Sequence, residues 1–176
     1  MRIIGGQLRG RLLHPPKGLP VRPTTDFAKT ALFNILNNRI DFEETKVLDL
    51  FTGTGSISFE FISRGCPKVV AVDKDFGCIR FIKETIEKLE LEGMQANKAD
   101  VFGFIKTYSG HFDLIFCDPP YDLDKLASIP DAIFDTHLLA SDGLLIVEHS
   151  TRVDFSTHAR FTEQRSYGKV NFSFFA

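Results

Sequence analysis

The sequence predicts an α/β fold: an open, mostly parallel sheet with helices on both faces and an antiparallel strand at its C-terminal end. Three observations carry this expectation. From residue 46 onward, short β-branched runs alternate with amphipathic segments. The runs are four to six residues long and mostly apolar, as expected of strands covered on both faces. The tail then departs from the alternation. Two strand-like runs flank Tyr167-Gly168-Lys169 with no helix-length segment between them, which makes the last strand antiparallel.

Taken in order, Arg2–Ile4 and Arg11–Leu13 flank a Gly/Arg-rich turn and read as a small N-terminal β-ribbon. Pro15-Pro16, Gly18 and Pro20 break the chain after it. A helix then opens near Thr25 or Asp26, either a sensible cap, and runs to Ile35-Leu36. Strands are expected at Lys46–Leu50, Lys68–Val72, Met94–Ala99, Phe112–Cys117 and Gly143–Glu148. Helical spacing covers Ser56–Arg64, Asp75–Leu91 and Asp124–Leu139. In the second of these, Ile79, Ile82, Ile86 and Leu89 recur at intervals of three and four. The closing hairpin uses Arg160–Glu163 and Val170–Phe175, and the 18 phenylalanines are core material.

A chain of 176 residues, 43% hydrophobic and 25% charged, fits one globular domain. Its N-terminus lacks the apolar stretch of a signal peptide, and no segment reaches the roughly 18 apolar residues of a membrane span. A cytoplasmic protein without membrane association is expected. Cys66, Cys78 and Cys117 match neither a zinc nor a redox spacing, so no metal is expected and the thiols read as reduced core residues. The net charge of −2 argues against a surface that is basic throughout, but its distribution is uneven. Residues 1–30 hold six basic side chains and one acid, leaving 15 basic against 22 acidic residues beyond them. The chain therefore divides into residues 1–22, a basic ribbon and linker, and residues 23–176, the α/β core.

Val47-Leu48-Asp49-Leu50-Phe51-Thr52-Gly53-Thr54-Gly55-Ser56 is a strand running through a two-glycine turn into a helix, where open α/β sheets bind ligands. Two features oppose a dinucleotide. Ser58 stands at the third fingerprint position, and Asp49 would repel a pyrophosphate. S-adenosylmethionine suits an acid there, because it carries an ammonium and a sulfonium and no phosphate. Asp73 ends the second strand about 20 residues after the loop, the usual place for a ribose diol. Asp100, after the third strand, could accept from an adenine amino group. A single loop aspartate means little, but three acids at successive strand tips are harder to ascribe to chance.

Asp118-Pro119-Pro120-Tyr121 leaves the fourth strand about 70 residues after the glycine loop. Consecutive prolines fix φ and lack N–H groups, so they hold a stiff turn with outward carbonyls. The Asp118 carboxylate and a carbonyl near Pro119 could accept both hydrogens of an aryl amine, favouring charge as it builds on nitrogen. Tyr121 could stack on the base, worth roughly 1–3 kcal/mol. A rigid turn that happens to hold an acid and an aromatic is the plain alternative. The preceding strand and the glycine loop on the same sheet edge weigh against it.

At these residues the chain resembles the 16S rRNA guanine(966)-N2-methyltransferase family. The resemblance spans nearly the whole length and includes Arg2-Ile3-Ile4-Gly5-Gly6, Gly10-Arg11, Arg22-Pro23-Thr24-Thr25-Asp26, Leu32-Phe33-Asn34-Ile35-Leu36, Glu148-His149 and Tyr167-Gly168. It implies a class I methyltransferase, Rossmann-like sheet, S-adenosylmethionine as cofactor, and methylation of a guanine N2 amine in 16S rRNA of the small ribosomal subunit, free or partly assembled. It further implies that Asp49, Phe51, Gly53, Gly55 and Asp73 hold the cofactor, with Asp100 at its adenine and Arg22 and Thr24 over its methionine end. Asp118, Pro119, Pro120 and Tyr121 would then engage guanine, and Arg9, Arg11 and Lys17 would contact RNA phosphates. Phe27 and Thr30 depart from the family, which usually has Arg and Glu there. Lys169-Val170-Asn171 departs from its commoner acidic-and-Thr pattern.

His149 reads as a buried, hydrogen-bonded sheet-edge residue rather than a base, since methyl transfer to a neutral amine requires no strong base. The core motifs also fit a DNA adenine-N6 or protein-glutamine methyltransferase, or a non-catalytic RNA-binding module on a cofactor fold. The short chain, with no separate DNA-reading segment, disfavours the first, and intact Asp118 and glycine loop disfavour the last. Size and resemblance lead us to expect a monomer.

Overall fold

The computed structural model describes residues 1–21 and 25–176. Helix α1 spans Asp26–Leu36, capped by Thr25, whose side chain accepts from the Ala28 N–H. The alternating core follows: β1 (Lys46–Leu50), α2 (Ser56–Ser63), β2 (Lys68–Asp73), α3 (Phe76–Leu89), β3 (Met94–Lys98), α4 (Val101–Thr107), β4 (Phe112–Cys117), α5 (Ile129–Phe134) and β5 (Leu139–His149). The chain ends in β6 (Phe161–Tyr167) and β7 (Val170–Phe175). The seven strands pair in the order β3-β2-β1-β4-β5-β7-β6, and β7 runs antiparallel to both neighbours, as the tail pattern predicts.

Period-two alternation splits the strands between two cores. Val47, Val69, Ala71, Leu114 and Phe116 face α1, α2 and α3. Leu48, Leu50, Val70, Val72, Ile115 and Cys117 face α4 and α5. All three cysteines are free and buried.

Several elements differ from the sequence expectation for local reasons. The helix expected over Asp124–Leu139 is a 3-10 turn at Leu126–Ser128 followed by the six-residue α5, with Pro130 in its first turn. Leu139 belongs to β5, which begins four residues earlier than Gly143 because a register shift opposite Phe112 and Leu114 lengthens the strand. The helix expected to reach Leu91 stops at Leu89, where Glu90 turns left-handed at φ 51°. Helix α4, not expected, is short and carries Gly103 in its middle, so it shows no helical period.

The N-terminal ribbon is short, one bridge between Arg2 and Leu12 flanked by backbone hydrogen bonds of Ile3 with Gly10 and Arg11 and of Met1 with Leu13. It is also held by α2. The Glu60 carboxylate accepts from Ile4 N–H (2.5 Å) and Gly5 N–H (3.3 Å), while the Ser63 hydroxyl and carbonyl take Leu8 N–H (2.9 Å) and Gln7 N–H (2.7 Å). Fully buried Lys29 lies 3.2 Å from Glu60 and donates to the Arg2 carbonyl at 2.7 Å. Gly6 adopts φ +73°, and a Cβ there would lie 1.9 Å from the Ser63 carbonyl oxygen, so only glycine permits this approach.

Candidate active site

Strands β1 and β4 are neighbours at the point where strand order reverses, and their carboxyl ends carry the glycine loop and the Asp-Pro-Pro-Tyr run. Backbone bonds fasten both segments beyond the regular ladder. Asp118 N–H donates to the Leu50 carbonyl at 3.2 Å, and Thr52 N–H to the Val72 carbonyl at 3.1 Å. Between them Phe51 is forced to φ 61°, a conformation that costs a bulky side chain on the order of 1–3 kcal/mol and that clusters at functional sites. Gly55, at φ 79°, opens α2 with no side-chain cap, so the first N–H groups of the helix face the loop.

Asp49 lies beneath the loop, 1% exposed. Its Oδ2 accepts from the hydroxyls of Ser58 (2.5 Å) and Thr52 (2.6 Å). Burial pushes its carboxyl up to about 6; the two hydroxyls pull it back, and the nearby Asp73 charge adds to the rise. Ser58, whose presence in place of glycine counts against a dinucleotide, thus partners this acid. Asp73, at the end of β2, accepts from Gly53 N–H through Oδ2 (2.9 Å) and from Asp75 N–H through Oδ1 (2.9 Å). The second-strand carboxylate therefore also shapes the glycine loop. Asp100 is exposed and caps α4, accepting from Gly103 N–H at 2.9 Å.

These residues fit S-adenosylmethionine. A carboxylate below the loop and another beside it would oppose a pyrophosphate and favour an ammonium and a ribose diol. The Cys117 thiol is held well above its usual range, first by burial and then by the Asp49 and Asp118 charges, which places both acids around the end of β4.

In the Asp-Pro-Pro-Tyr run, Pro119 is buried and Pro120 exposed. The Pro120 carbonyl accepts from Leu123 N–H at 2.9 Å, closing a turn, which makes Pro119 the candidate second acceptor beside Asp118. The Tyr121 hydroxyl donates to Glu148 Oε1 at 3.3 Å, and Glu148 is buried at the end of β5. Sequence reasoning assigned Glu148, Thr52 and Ser58 no role at the site; only the Thr-Gly-Thr-Gly-Ser composition hinted at loop hydroxyls.

His149 is fully buried. Its Nδ1 lies 2.8 Å from the Ser150 carbonyl, which can only accept, so Nδ1 carries the proton and Nε2 faces the Ser173 hydroxyl at 2.7 Å. Burial lowers its pKa, keeping the ring neutral and structural. Arg22 and Thr24 lie outside the described residues. Arg9, Arg11 and Lys17 are exposed on the N-terminal segment.

A family model described as conserved hypothetical protein 95 matches residues 1–176. A Bacillus subtilis protein provisionally named rRNA methyltransferase YlbH is 35% identical over 159 residues, covering 88% of this chain and 85% of the relative. The Haemophilus influenzae ribosomal RNA small subunit methyltransferase D is 32% identical over 152 residues, 84% of this chain and 78% of the relative. Among solved structures, a hypothetical protein of Thermus thermophilus superposes with TM-score 0.85 at 29% identity over 99% of this chain and 98% of its own. The Thermus thermophilus 16S rRNA N2 G1207 methyltransferase in complex with AdoMet and guanosine shares the fold, with TM-score 0.74 at 20% identity over 99% of this chain and 48% of its own. Whole-length agreement in sequence and topology places the chain in the conserved hypothetical protein 95 family, the family of small-subunit rRNA methyltransferase D, as a class I methyltransferase.

Proposed function

We propose that this protein methylates the exocyclic N2 amine of a guanine in 16S rRNA, using S-adenosylmethionine. The observation that carries the reading is the fastening of Asp118 to the end of β1, which sets an acid and a Pro-Pro turn beside the loop over Asp49. The names of the small-subunit rRNA methyltransferase relatives support the substrate class.

The cofactor supplies an electrophilic methyl group on a sulfonium. The chain's own residues do the rest. Asp49, Asp73, Gly53 and Gly55 hold the cationic and ribose portions, with Phe51 and Asp100 bordering them and Arg22 and Thr24 at the methionine end. The Asp118 carboxylate and the Pro119 carbonyl would accept the two N–H groups of guanine N2 and turn its lone pair toward the bound cofactor. Tyr121, tethered by Glu148, stacks on the base. With the cofactor bound, Asp118 would stabilise the positive charge that grows on the amine nitrogen during methylation and would take up the excess proton. Arg9, Arg11 and Lys17 of residues 1–22 contact phosphates, leaving residues 23–176 as the catalytic core. A monomer acting in the cytoplasm on rRNA or a partly assembled subunit completes the reading. Among the described residues no helix is long and apolar enough to cross a membrane.

Transfer of labelled methyl from S-adenosylmethionine to small subunits lacking the modification, followed by nucleoside analysis, tests the proposal. Label is expected in N2-methylguanosine. Asp118→Ala should cut the rate by roughly 10²–10³ with cofactor affinity retained. Label in methyladenine or in protein, or none despite cofactor binding, overturns the rRNA assignment.

A further inference from the structure

We propose that the ring of Phe27 is a stacking platform for an unpaired RNA base flanking the methylated guanine, with Arg2 and Arg9 beside it for the adjoining phosphate. The proposal rests on the RNA-methylating reading above and assigns that substrate a second point of attachment, outside the catalytic centre.

Phe27 is 69% exposed, while the residues that anchor α1 in the core are Ala28, Leu32, Phe33 and Leu36. The core therefore gives no reason for an aromatic at position 27. The ring is nonetheless held. Tyr167 meets it in an edge-to-face contact with centroids 6.1 Å apart at 76°, and Tyr167 is itself set against buried Phe172 at 6.1 Å. A pre-fixed ring with an open side loses little entropy on stacking.

Its position links it to the site. Helix α1 lies antiparallel to β6: Arg39, just past its C-terminal end, pairs with Glu163 near the start of the strand, and Phe27 in its first turn meets Tyr167 at the strand's end. Tyr167 pairs with Val170, and the next residue of β7, Asn171, pairs with His149 at the carboxyl end of β5. Tyr167 therefore stands at the same sheet edge as Glu148, about 10 Å along it for two strand spacings, and Phe27 packs on Tyr167. Asp26 and Thr30, the i−1 and i+3 neighbours of Phe27 on α1, line a depression of about 280 Å³ together with Arg2 and Arg9. Asp26 is paired with Arg2 at 3.5 Å, whereas among the described residues no carboxylate lies within ion-pair distance of Arg9. An exposed ring whose helix neighbours border a depression holding two guanidinium groups is the combination that takes a splayed-out base and its phosphate, since single-stranded RNA is recognised by stacking and backbone contacts.

The chain has no tryptophan, so Phe27→Trp installs a sole fluorophore at the platform. With small subunits lacking the modification as substrate, Phe27→Leu should raise KM for RNA roughly 5- to 150-fold, the range that base–aromatic stacking spans. Turnover at saturating RNA, cofactor affinity and the melting temperature should stay at wild-type values. Phe27→Trp should restore KM, and RNA should quench its emission. If the wild type methylates guanine N2 but Phe27→Leu leaves KM unchanged, or if the tryptophan emission does not respond to RNA that the variant methylates, the platform is wrong while the methyltransferase reading stands. If the wild type methylates no RNA at all, both fall together.

Discussion

Asp49 shows how burying one carboxylate beneath the glycine loop ties stability to pH. Its folded value of about 6 lies above the ordinary 3.8, so the folded state holds the proton more tightly between those limits. The associated stability is full below about pH 3.8 and is lost as pH rises through 6, a cost on the order of 3 kcal/mol. Denaturant melts of wild type and Asp49→Asn should therefore show the wild type losing ground between about pH 4 and 7; a difference independent of pH would show that burial is not what raises this carboxyl. A bound ammonium favours the ionised form, so affinity for S-adenosylmethionine should rise as pH passes 6, read by calorimetry. At His149 the expectation is different, because both ring nitrogens already have partners inside the protein. His149→Ala leaves those partners unsatisfied around a cavity and should cost roughly 2–4 kcal/mol in denaturant melts, with kcat changed less than about twofold. A large loss of kcat in a variant that remains folded would make the histidine part of the chemistry.

At the scale of elements, the N-terminal segment depends on α2. Glu60 joins Lys29, Arg64 and two ribbon amides through one carboxylate with no exposure of its own. Removing it strands the buried Lys29 ammonium, so Glu60→Ala should destabilise the protein by about 3–5 kcal/mol. Hydrogen exchange should show the amides of Ile4, Gly5 and Leu8 losing protection ahead of those in β1 and β4. Unchanged protection at those three amides would mean that the ribbon's own backbone bonds are enough to hold it. The C-terminal hairpin has a comparable logic. Gly168 at φ 65° closes the two-residue turn, and Arg39 reaches from beyond α1 to pair with Glu163 and cover the Phe174 ring at 4.9 Å. That packing carries the first turn of α1 to the end of β6, beside Tyr167.

For the whole molecule, the uneven charge matters more than the total. A net −2 combines a basic first 30 residues with an acidic remainder, so RNA should be attracted at one end and repelled elsewhere. Replacing Arg9, Arg11 and Lys17 together by Gln should weaken RNA binding and flatten its log–log salt dependence by about 2, since each phosphate contact to a single strand contributes roughly 0.7. An unchanged slope would reduce these residues to a solubilising surface. The strand order sets the other large-scale property. Reversal between β1 and β4 opens a crevice at one edge only, and Asp49, Asp73, Asp100 and Asp118 all lie on or beside that edge.

The strands of the parallel core were legible in the residues alone, because strands buried on both faces must be short apolar runs. So was the antiparallel ending, because no crossover helix fits between Phe161 and Val170. The acids at the strand tips were legible too, because a strand followed by a glycine loop or a Pro-Pro turn leaves few places for them. What those acids touch was settled only by packing in three dimensions. That Asp49 is held by Thr52 and Ser58, that Asp73 binds the Gly53 amide, and that Tyr121 leans on Glu148 are contacts between residues 3 to 27 positions apart in sequence. The docking of the ribbon on Glu60 and the meeting of Phe27 with Tyr167 span longer separations still. Periodicity reports which face of an element is buried; it carries no record of which distant side chain completes a hydrogen bond or a ring contact, because that partner is chosen by the packing of whole elements.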